Sequence, residues 1–524
     1  MKSLEQTKTA AILTVFSSNF ASKILGFLLV VIFATLVGTT SYGDAYTFAF
    51  ILPDLVNSLL AGSALSIAFI PIYQELAGNP ERQNRFFSNI FTIGTIIFAS
   101  VLAVCFFAAP QFINILGGAS ITENRETFDL TVKLTRIVLP AQLFFFWGAI
   151  FIGIQQANKN YKFTAFAPII YNLTIIIFGA VFFRFIGIAG FSWGVLFGAF
   201  FGHAVMQFLG AKRFSVKYSP VLDFRDEDFL LWFKKTIPLM LGLGITFSNE
   251  FTFRFFGSRI ENGEGAIVAL NYAYRIVMIV VVLFASSIAA PIYPFLSEKA
   301  KTRDFAAMEQ ILIPIFTKTA AVILLIAALI FPASKEIIAV LFERQAFDAN
   351  STILTSQALL GYLPGMFFLS AVIILQRLFY AVKNTKTPLI ISTVSLILSI
   401  PFYKILSDLW GVAGISAATS VFSFIATVLV IWRWYKFFPQ SKLLSLTKPI
   451  FLSILVASGA FFIKYWIFAQ FPPAENLPER LVKISVAAFP AIIFAAVSFQ
   501  ILGIISIKNL FAKVLRRVKR ELFG

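Results

Sequence analysis

Residues 311–333 read ILIPIFTKTAAVILLIAALIFPA, with Lys318 as their single charged residue. A helix of about 20 apolar residues crosses the hydrocarbon core of a bilayer. Similar runs recur along the chain and are continuously apolar, unlike the alternating strands of an outer-membrane barrel. Of the 524 residues, 59% are hydrophobic and 13% are charged, which is about half the charged fraction of a soluble protein. The sequence therefore predicts an all-α polytopic membrane protein and excludes a soluble enzyme.

The apolar runs predict fourteen transmembrane helices. They cover residues 10–37, 44–73, 86–115, 128–156, 163–183, 188–211, 232–258, 265–296, 310–332, 353–382, 387–406, 409–435, 446–470 and 481–507. Pro53 and the pair Gly62-Ser63 interrupt the second run, so we expect a kinked or partly unwound helix there.

Basic residues are distributed unevenly between the connections. If the N-terminus and every second connection face the cytoplasm, those segments hold 27 of the 43 Lys and Arg residues, and the opposite connections hold 9. Cytoplasmic connections of membrane proteins are enriched in Lys and Arg. The bias predicts that both chain ends are cytoplasmic, and it assigns the net charge of +18 to membrane topology rather than to nucleic-acid binding.

The first twelve predicted helices form a sequence repeat. Leu139-Pro140 and Ala157-Asn-Lys-Asn-Tyr-Lys162 recur 224 residues later (364 − 140) as Leu363-Pro364 and Ala381-Val-Lys-Asn-Thr-Lys386. Each copy has six helices, so the two copies share one orientation, an arrangement typical of transporters with a substrate site at the repeat interface. We divide the chain into residues 1–215 (helices 1–6), 216–438 (helices 7–12), 439–507 (helices 13 and 14) and 508–524, a basic amphipathic tail on the cytoplasmic leaflet.

Seven Lys and Arg residues remain inside the predicted spans: Lys23, Lys133, Arg136, Arg254, Arg275, Lys318 and Arg377. A charge at a helix centre costs at least about 2.5–3.5 kcal/mol on insertion scales, so it faces a cavity or a partner. Lys133, Lys318 and Arg377 lie close enough to span ends to reach the interface. Lys23 and Arg254 occupy matching mid-span positions of the two copies, and Arg275 adds a third cation in span 8.

Glu250 precedes Arg254 by four residues and lies on the same helix face. One interpretation is a buried ion pair that holds the two halves together. The other is a cationic cavity for an anionic headgroup, in which Glu250 tunes the site or binds a coupling cation. Three interior cations against one obvious anion favour the cavity, although Asp44 and Asp54 in span 2 could also neutralise them.

The sequence gives little support for disulfide, metal-binding or catalytic chemistry. The chain has one cysteine, Cys105, and one histidine, His203, so disulfides, metal sites and Cys/His catalysis find no support. We expect no cofactor. Either a gradient, with coupling to a monovalent cation at an unassigned site as one option, or the membrane potential would supply the energy. The connector motif Lys-Asn-x-Lys is present in both copies and could bind phosphate or anchor the connector to anionic lipid.

Five further motifs stand out along the chain. They are Ser22-Lys-Ile-Leu-Gly-Phe27, Gly43-Asp-Ala45 with Phe48-Ala-Phe50 and Leu52-Pro53, Ala64-Leu-Ser-Ile-Ala-Phe-Ile-Pro71, Phe166-Ala-Pro168 with Asn172, and Phe379-Tyr380 with Lys386-Thr-Pro388. Together they resemble the motifs of the MurJ/MviN family, the lipid II flippases of bacterial peptidoglycan synthesis, within the multidrug/oligosaccharidyl-lipid/polysaccharide exporter superfamily. The resemblance covers nearly the whole chain.

The resemblance implies a V-shaped, two-lobed transporter that alternates between inward-open and outward-open states in the bacterial cytoplasmic membrane. Helices 13 and 14 would form a groove for the polyprenyl tail of lipid II, and cell-wall synthesis proteins would be partners. Arg275 stands at the family's span 8 arginine position, whereas Lys23 and Asn57 replace arginines and Leu29-Val30 replaces an Arg-Asp pair. The candidate cavity cations are Lys23, Arg254 and Arg275, and the candidate cavity or gating residues are Arg136, Asn57, Asp54, Glu250 and Asn249.

Three functions are compatible with this pattern. The first is a flippase for lipid II or another polyprenyl-pyrophosphate-linked saccharide. The second is a cation-coupled exporter of drugs or polysaccharide on the same fold, which an acidic cavity with Arg254 paired off would favour. The third is a membrane scaffold without transport activity.

Overall fold

The computed structural model describes residues 2–58, 64–160, 162–214, 216–244, 248–261, 263–474 and 476–505. The chain divides into two compact units. The first contains residues 1–268 and 344–351, and the second contains residues 269–343 and 352–524. The predicted tail at 508–524 lies outside the described residues.

Every regular element in the described part of the chain is helical. The first eleven helices are α1 (Lys2–Val37), α2 (Ser41–Ala49), α3 (Ile51–Val56), α4 (Ala64–Glu75), α5 (Pro80–Phe107), α6 (Ala109–Leu116), α7 (Ala119–Thr122), α8 (Arg125–Val138), α9 (Ala141–Ala157), α10 (Lys162–Ile186) and α11 (Ala189–Ala199). They are followed by α12 (Met206–Lys212), α13 (Glu227–Gly244), α14 (Ser248–Gly257), α15 (Ala266–Val281), α16 (Ser287–Lys301), α17 (Phe305–Ile330), α18 (Ser334–Phe342), α19 (Ala349–Ala381), α20 (Lys386–Phe437), α21 (Thr447–Gln470) and α22 (Leu477–Ile501). Two π-helical segments, Phe200–Val205 and Val282–Ser286, join α11 to α12 and α15 to α16.

The described residues contain ten helical stretches long and apolar enough to cross a membrane. One of them, α20, covers two predicted spans, which are separated by the non-helical Gly411. The apolar helix Ala21–Val37 matches the first predicted span, so twelve of the fourteen spans coincide with apolar helices (10 + 1 + 1). The second and seventh spans include residues 59–63 and 245–247, which are not described. The prediction of an all-α polytopic fold is confirmed.

The second predicted span is broken, as expected. Helix α2 ends at Ala49 and α3 begins at Ile51, so the interruption falls at Phe50, three residues before Pro53. Residues 57 and 58 then leave the α-helical pattern. The predicted interruption at Gly62-Ser63 lies outside the described residues.

A row of glycines brings α10 and α11 close together. Built at Gly194, a Cβ atom would lie 2.8 Å from the Cα of Ile175, and at Gly198 it would lie 2.9 Å from the carbonyl oxygen of Tyr171. The row has a spacing of four residues and comprises Gly190, Gly194, Gly198 and Gly202. Small residues at this spacing let helix backbones pack closely in membranes, where lipid provides little hydrophobic drive for helix association.

The repeated Lys-Asn-x-Lys connector adopts the same turn in both units. Lys159 and Lys383 have left-handed backbones, with φ of 57° and 59°. In each turn the N–H of the following asparagine donates to a carbonyl five residues back, from Asn160 to Gln155 and from Asn384 to Phe379, as in a Schellman helix end. Each asparagine side chain also accepts a backbone N–H at the start of the next helix. The motif therefore ends one helix and begins the next.

The appended helices α21 and α22 are attached to α17 and α18 within the second unit. Arg480 donates to Glu343 at 2.8 Å, and Lys483 lies 3.7 Å from Glu336. At the other end, the buried carboxylate of Glu309 accepts from the Trp434 indole N–H and from the backbone N–H of Lys442, each at 2.7 Å. Polar contacts thus hold the pair at both ends.

We predict that Gly198→Ala lowers the free energy of unfolding by about 1–3 kcal/mol, the usual range for overpacking, although alanine favours a helix more than glycine does. Thermal unfolding of the purified protein in detergent measures the change. Gly78→Ala is the matched control, because nothing lies within 4 Å of a Cβ atom there. Equal stability of the two variants would contradict the close-packing interpretation.

Candidate functional site

Arg254 is the most buried of the predicted cavity cations, at 5% exposure. Its guanidinium donates to Asp54 at 2.6 Å and to Glu250 at 3.2 Å. Helix α14 carries Arg254 and Glu250 one turn apart, and α3 brings Asp54 to them from span 2. The Asp54 and Glu250 side chains keep 36% and 37% of their surface exposed, whereas the Arg254 side chain keeps 6%. Arg254 therefore forms ion pairs both with Glu250 on its own helix and with Asp54 on α3.

Lys23 and Arg275 have different surroundings. Both side chains are exposed, and in the described part of the chain neither has a carboxylate within ion-pairing distance. Lys23 lies on α1, beside Ser22, whose carbonyl accepts the Asn172 side-chain N–H at 3.1 Å. Arg275 lies on α15 in the second unit, one residue after the buried Tyr274.

The remaining candidate residues, Arg136, Asn57 and Asn249, differ in their surroundings. Arg136 donates to the carbonyl of Phe106 at 3.0 Å and lies over its ring, so it satisfies the C-terminal end of α5. Asn57 is half-buried at the end of α3, in the interrupted part of span 2. Asn249 belongs to α14, but its side chain lies outside the described part.

Asp44 has a structural role that the sequence analysis missed. It is 1% exposed, and its carboxylate accepts backbone N–H groups from Gly265 at 2.7 Å and Val268 at 2.9 Å. Asp44 therefore caps the N-terminus of α15, where the helix dipole favours a negative charge. The Gly43-Asp-Ala45 motif was the available signal, but its spacing alone could not identify the partner helix.

Further contacts join residues of the two sequence halves around this cap. The Thr39 hydroxyl donates to the Ser351 hydroxyl at 2.8 Å, and the Ala346 N–H donates to the Thr35 carbonyl at 3.1 Å. A Cβ atom at Gly38, which has φ of 64°, would lie 2.2 Å from the Ala346 carbonyl oxygen. The Gly118 N–H donates to the Ser258 hydroxyl at 2.9 Å. We call this set the inter-half contact: residues 35–44, 118–120, 258–268 and 344–351.

All segments of the inter-half contact are connections, or the ends of spans beside them, that the charge bias places on the non-cytoplasmic side. Connections assigned to the cytoplasm contact one another in the same way. Arg82 pairs with Asp228 at 2.7 Å, and Arg85 pairs with Asp223 at 2.9 Å. Such same-side pairing is required of a correct topology, because a contact between opposite sides would have to cross the bilayer.

No group of three or more His, Cys, Asp or Glu residues that could hold a metal ion occurs among the described residues. Among the described candidates, Arg254 and Arg136 bind other groups of the protein, whereas Lys23 and Arg275 are exposed.

A sequence profile described as lipid II flippase MurJ matches residues 33–512. The chain belongs to the MurJ family of lipid II flippases. It is 28% identical over 455 residues to the lipid II flippase MurJ of Thermosipho africanus, covering 86% of this chain and 91% of that protein. It is 25% identical over 528 residues to the Burkholderia cenocepacia MurJ, covering 97% and 99%.

Solved structures agree with the family assignment. A lipid II flippase MurJ in an inward closed conformation superimposes with a TM-score of 0.78 at 26% identity, covering 93% of this chain and 99% of that chain. An inward-facing multidrug-resistance MATE transporter of the MOP superfamily gives a TM-score of 0.63 at 15% identity, a likeness of fold alone. MurJ proteins are transporters rather than enzymes, so the prediction that the chain is not an enzyme is confirmed.

We predict that Arg254→Gln destabilises the protein by about 3 kcal/mol, the lower end for a broken buried pair, because both carboxylates retain contact with solvent. The triple variant Asp54→Asn/Glu250→Gln/Arg254→Gln removes the unpaired charges and should recover stability and most of the growth-supporting activity. Thermal unfolding and growth of a bacterium depleted of its own lipid II flippase measure the two effects. A stable triple variant that does not support growth would show that at least one of the three residues has a role in transport beyond stability.

Proposed function

We propose that this protein moves lipid II from the cytoplasmic to the outer leaflet of the bacterial cytoplasmic membrane by alternating access, for cell-wall synthesis. The observation that carries the proposal is membership of the MurJ family together with two interior cations that have no carboxylate within ion-pairing distance among the described residues. Lipid II joins a polyprenyl tail to a sugar headgroup through pyrophosphate, so the group that must cross hydrocarbon is anionic. Lys23 and Arg275 are the residues proposed to meet it.

Substitution of lysine for arginine at position 23 changes how the pyrophosphate would be held. Lysine provides a compact point charge, whereas arginine provides a planar fork that binds phosphate through two parallel hydrogen bonds. Arg275 keeps that fork in span 8. We therefore assign the directional hydrogen bonds to the pyrophosphate to Arg275, and compensation of the pyrophosphate charge to Lys23.

The membrane potential acts on the same charge. An elementary charge moved across the membrane changes in energy by about 2.3 kcal/mol per 100 mV. An interior-negative potential therefore favours outward movement of the anionic headgroup, and no nucleotide site is needed. Coupling to a monovalent cation stays a prediction without an assigned site.

Alternating access requires that one side closes while the other opens. The inter-half contact supplies closure on the non-cytoplasmic side through hydroxyl and backbone hydrogen bonds and one helix cap. The contacts named above are hydrogen bonds among hydroxyl, backbone and carboxylate groups, and a neutral hydrogen bond contributes only about 0.5–1.5 kcal/mol to stability. Such a closure can be exchanged for another set of contacts at moderate cost.

The cation-coupled exporter remains the second candidate. Pairing of Arg254 with two carboxylates was the feature expected for it, but the family match over residues 33–512 favours the lipid II flippase. We further propose that both chain ends are cytoplasmic, as the same-side contacts support. Anionic lipids and cell-wall synthesis proteins are proposed partners on the family resemblance and the basic connectors.

We predict that Lys23→Ala and Arg275→Ala each abolish growth in cells depleted of their own lipid II flippase, and that lipid II accumulates in the inner leaflet. Loss of either cation leaves the pyrophosphate without full compensation at the membrane midplane. Lys301→Ala, at an exposed helix end, is the control, and immunoblotting checks expression. Full growth of both alanine variants would refute the cationic site.

We predict that a disulfide between Thr39→Cys and Ser351→Cys, in a Cys105→Ser background, stops transport by locking the inter-half contact. The two native hydroxyl oxygens are 2.8 Å apart, so the new thiols start close together. A membrane-permeant reductant should restore lipid II translocation, and each single-cysteine variant is a control. Undiminished translocation by the fully cross-linked protein would contradict alternating closure at this contact.

A further inference from the structure

A cavity of about 300 Å³ lies in the first unit, away from Lys23 and Arg254. Its wall is aromatic and includes Phe87, Phe91, Trp147, Phe151, Phe208 and Tyr218. The Trp147 indole N–H already donates to the Thr95 hydroxyl at 3.0 Å. The cavity is therefore suited to an apolar ligand. Its volume is at the lower end of the range for ligand sites, about 300–1,000 Å³.

The helix geometry opens this cavity. Helices α5 and α9 form one wall, and the π-helical segment Phe200–Val205 with α12 forms the other. A π-helical segment widens the helix locally and often marks a functional position. Phe208 is 47% exposed at the edge of the cavity, within a predicted span, so this edge faces the lipid tails.

The third wall is the polypeptide that connects the two sequence halves. Val216 and Tyr218 line the cavity, and Tyr218 lies within hydrogen-bonding distance of the Thr92 hydroxyl, at 3.1 Å. The Lys217 N–H donates to Asn84 and the Ser219 N–H donates to Ser88, so this connector is fixed against the start of α5. An occupant of the cavity therefore touches the segment that joins the halves.

Basic side chains surround the opening. Lys212 lines the cavity and is exposed, and Lys217 is exposed next to Val216. Within the described ranges, neither lysine has a carboxylate at ion-pairing distance. Arg213 lies over the Phe163 ring at 4.4 Å. The charge bias places these residues at the cytoplasmic surface, where the leaflet is rich in anionic lipid.

We propose that this cavity binds one acyl chain of an anionic glycerophospholipid, whose phosphate lies between Lys212 and Lys217. The aromatic wall takes the chain, with about 0.8 kcal/mol gained per buried methylene group. The two lysines, which have no carboxylate at ion-pairing distance in the described ranges, select an anionic headgroup over a zwitterionic one. The long, branched tail of a polyprenyl lipid is a poorer fit, because a volume of about 300 Å³ holds only a short unbranched segment.

This site stands apart from the proposed transport function, because it involves neither Lys23 nor Arg275. Its occupant is a bulk lipid of the cytoplasmic leaflet rather than the substrate. A lipid bound there would stabilise the packing of the connector between the halves against α5 and α9. The site can therefore be tested by binding alone.

The test uses the purified full-length chain in detergent with two photoreactive probes, phosphatidylglycerol and phosphatidylcholine with the same diazirine-bearing acyl chain. We expect the phosphatidylglycerol adducts to map to peptides that contain Trp147, Phe208 or Tyr218, several-fold more strongly than the phosphatidylcholine adducts. Lys212→Gln/Lys217→Gln should reduce phosphatidylglycerol labelling to the phosphatidylcholine level. Ala204→Phe, which fills the cavity, should remove labelling by both probes.

Lys299→Gln/Lys301→Gln is the matched charge control, because it also removes two lysines from a helix end at the same face. Gel filtration confirms that each variant is folded, and the lysine variants remain informative if Ala204→Phe does not fold. Equal labelling of the wild-type protein by both probes would overturn the proposal, as would full labelling of folded Ala204→Phe. Displacement of the probe by lipid II but not by unlabelled phosphatidylglycerol would assign the cavity to the substrate tail instead.

Discussion

Hydrocarbon leaves a charged side chain two stable environments, an ion pair or access to water, and this constraint organises the site. Arg254 takes the first environment, between Asp54 and Glu250. Lys23 and Arg275 are exposed and have no carboxylate within ion-pairing distance among the described residues. Arg254 therefore joins elements of the protein, whereas Lys23 and Arg275 are the cations proposed to contact an anionic ligand. Counting charges along the spans treats all three as equivalent.

Several features follow from the sequence because they depend on local chemistry. Continuous apolar runs identify spans, since only helices satisfy their own backbone hydrogen bonds in lipid. The repeated Lys-Asn-x-Lys motif predicts a repeated structure, and Lys159 and Lys383 indeed share one left-handed turn. The interruption near Pro53 was also foreseeable, because proline removes a helix hydrogen bond. Each of these depends on residues close together in the chain.

Features that depend on distant partners were not predictable. Asp44 caps α15 from 221 residues away, and nothing near Gly265 in the sequence indicates this. Arg136 resembled a cavity cation until its contact with the Phe106 carbonyl was visible. The pairing of Arg254 with Asp54 spans 200 residues, and the sequence could offer Asp54 only as one of two possible counter-charges in span 2, whereas the pairing with Glu250 follows from helical spacing. Sequence reasoning therefore finds the ionisable residues of a membrane site more readily than it finds their partners.

The glycine row of α11 and the π-helical segment after it has a mechanical consequence. The backbone of α10 is in close contact with each of the four glycines. Helices α10 and α11 cannot slide or tilt against each other without losing these contacts, so they move as one rigid unit. Bending of the first unit must then concentrate in weaker joints. The interrupted second span at Phe50, whose helices lack a continuous hydrogen-bond ladder, is such a joint, and it carries Asp44 on one side and Asp54 on the other.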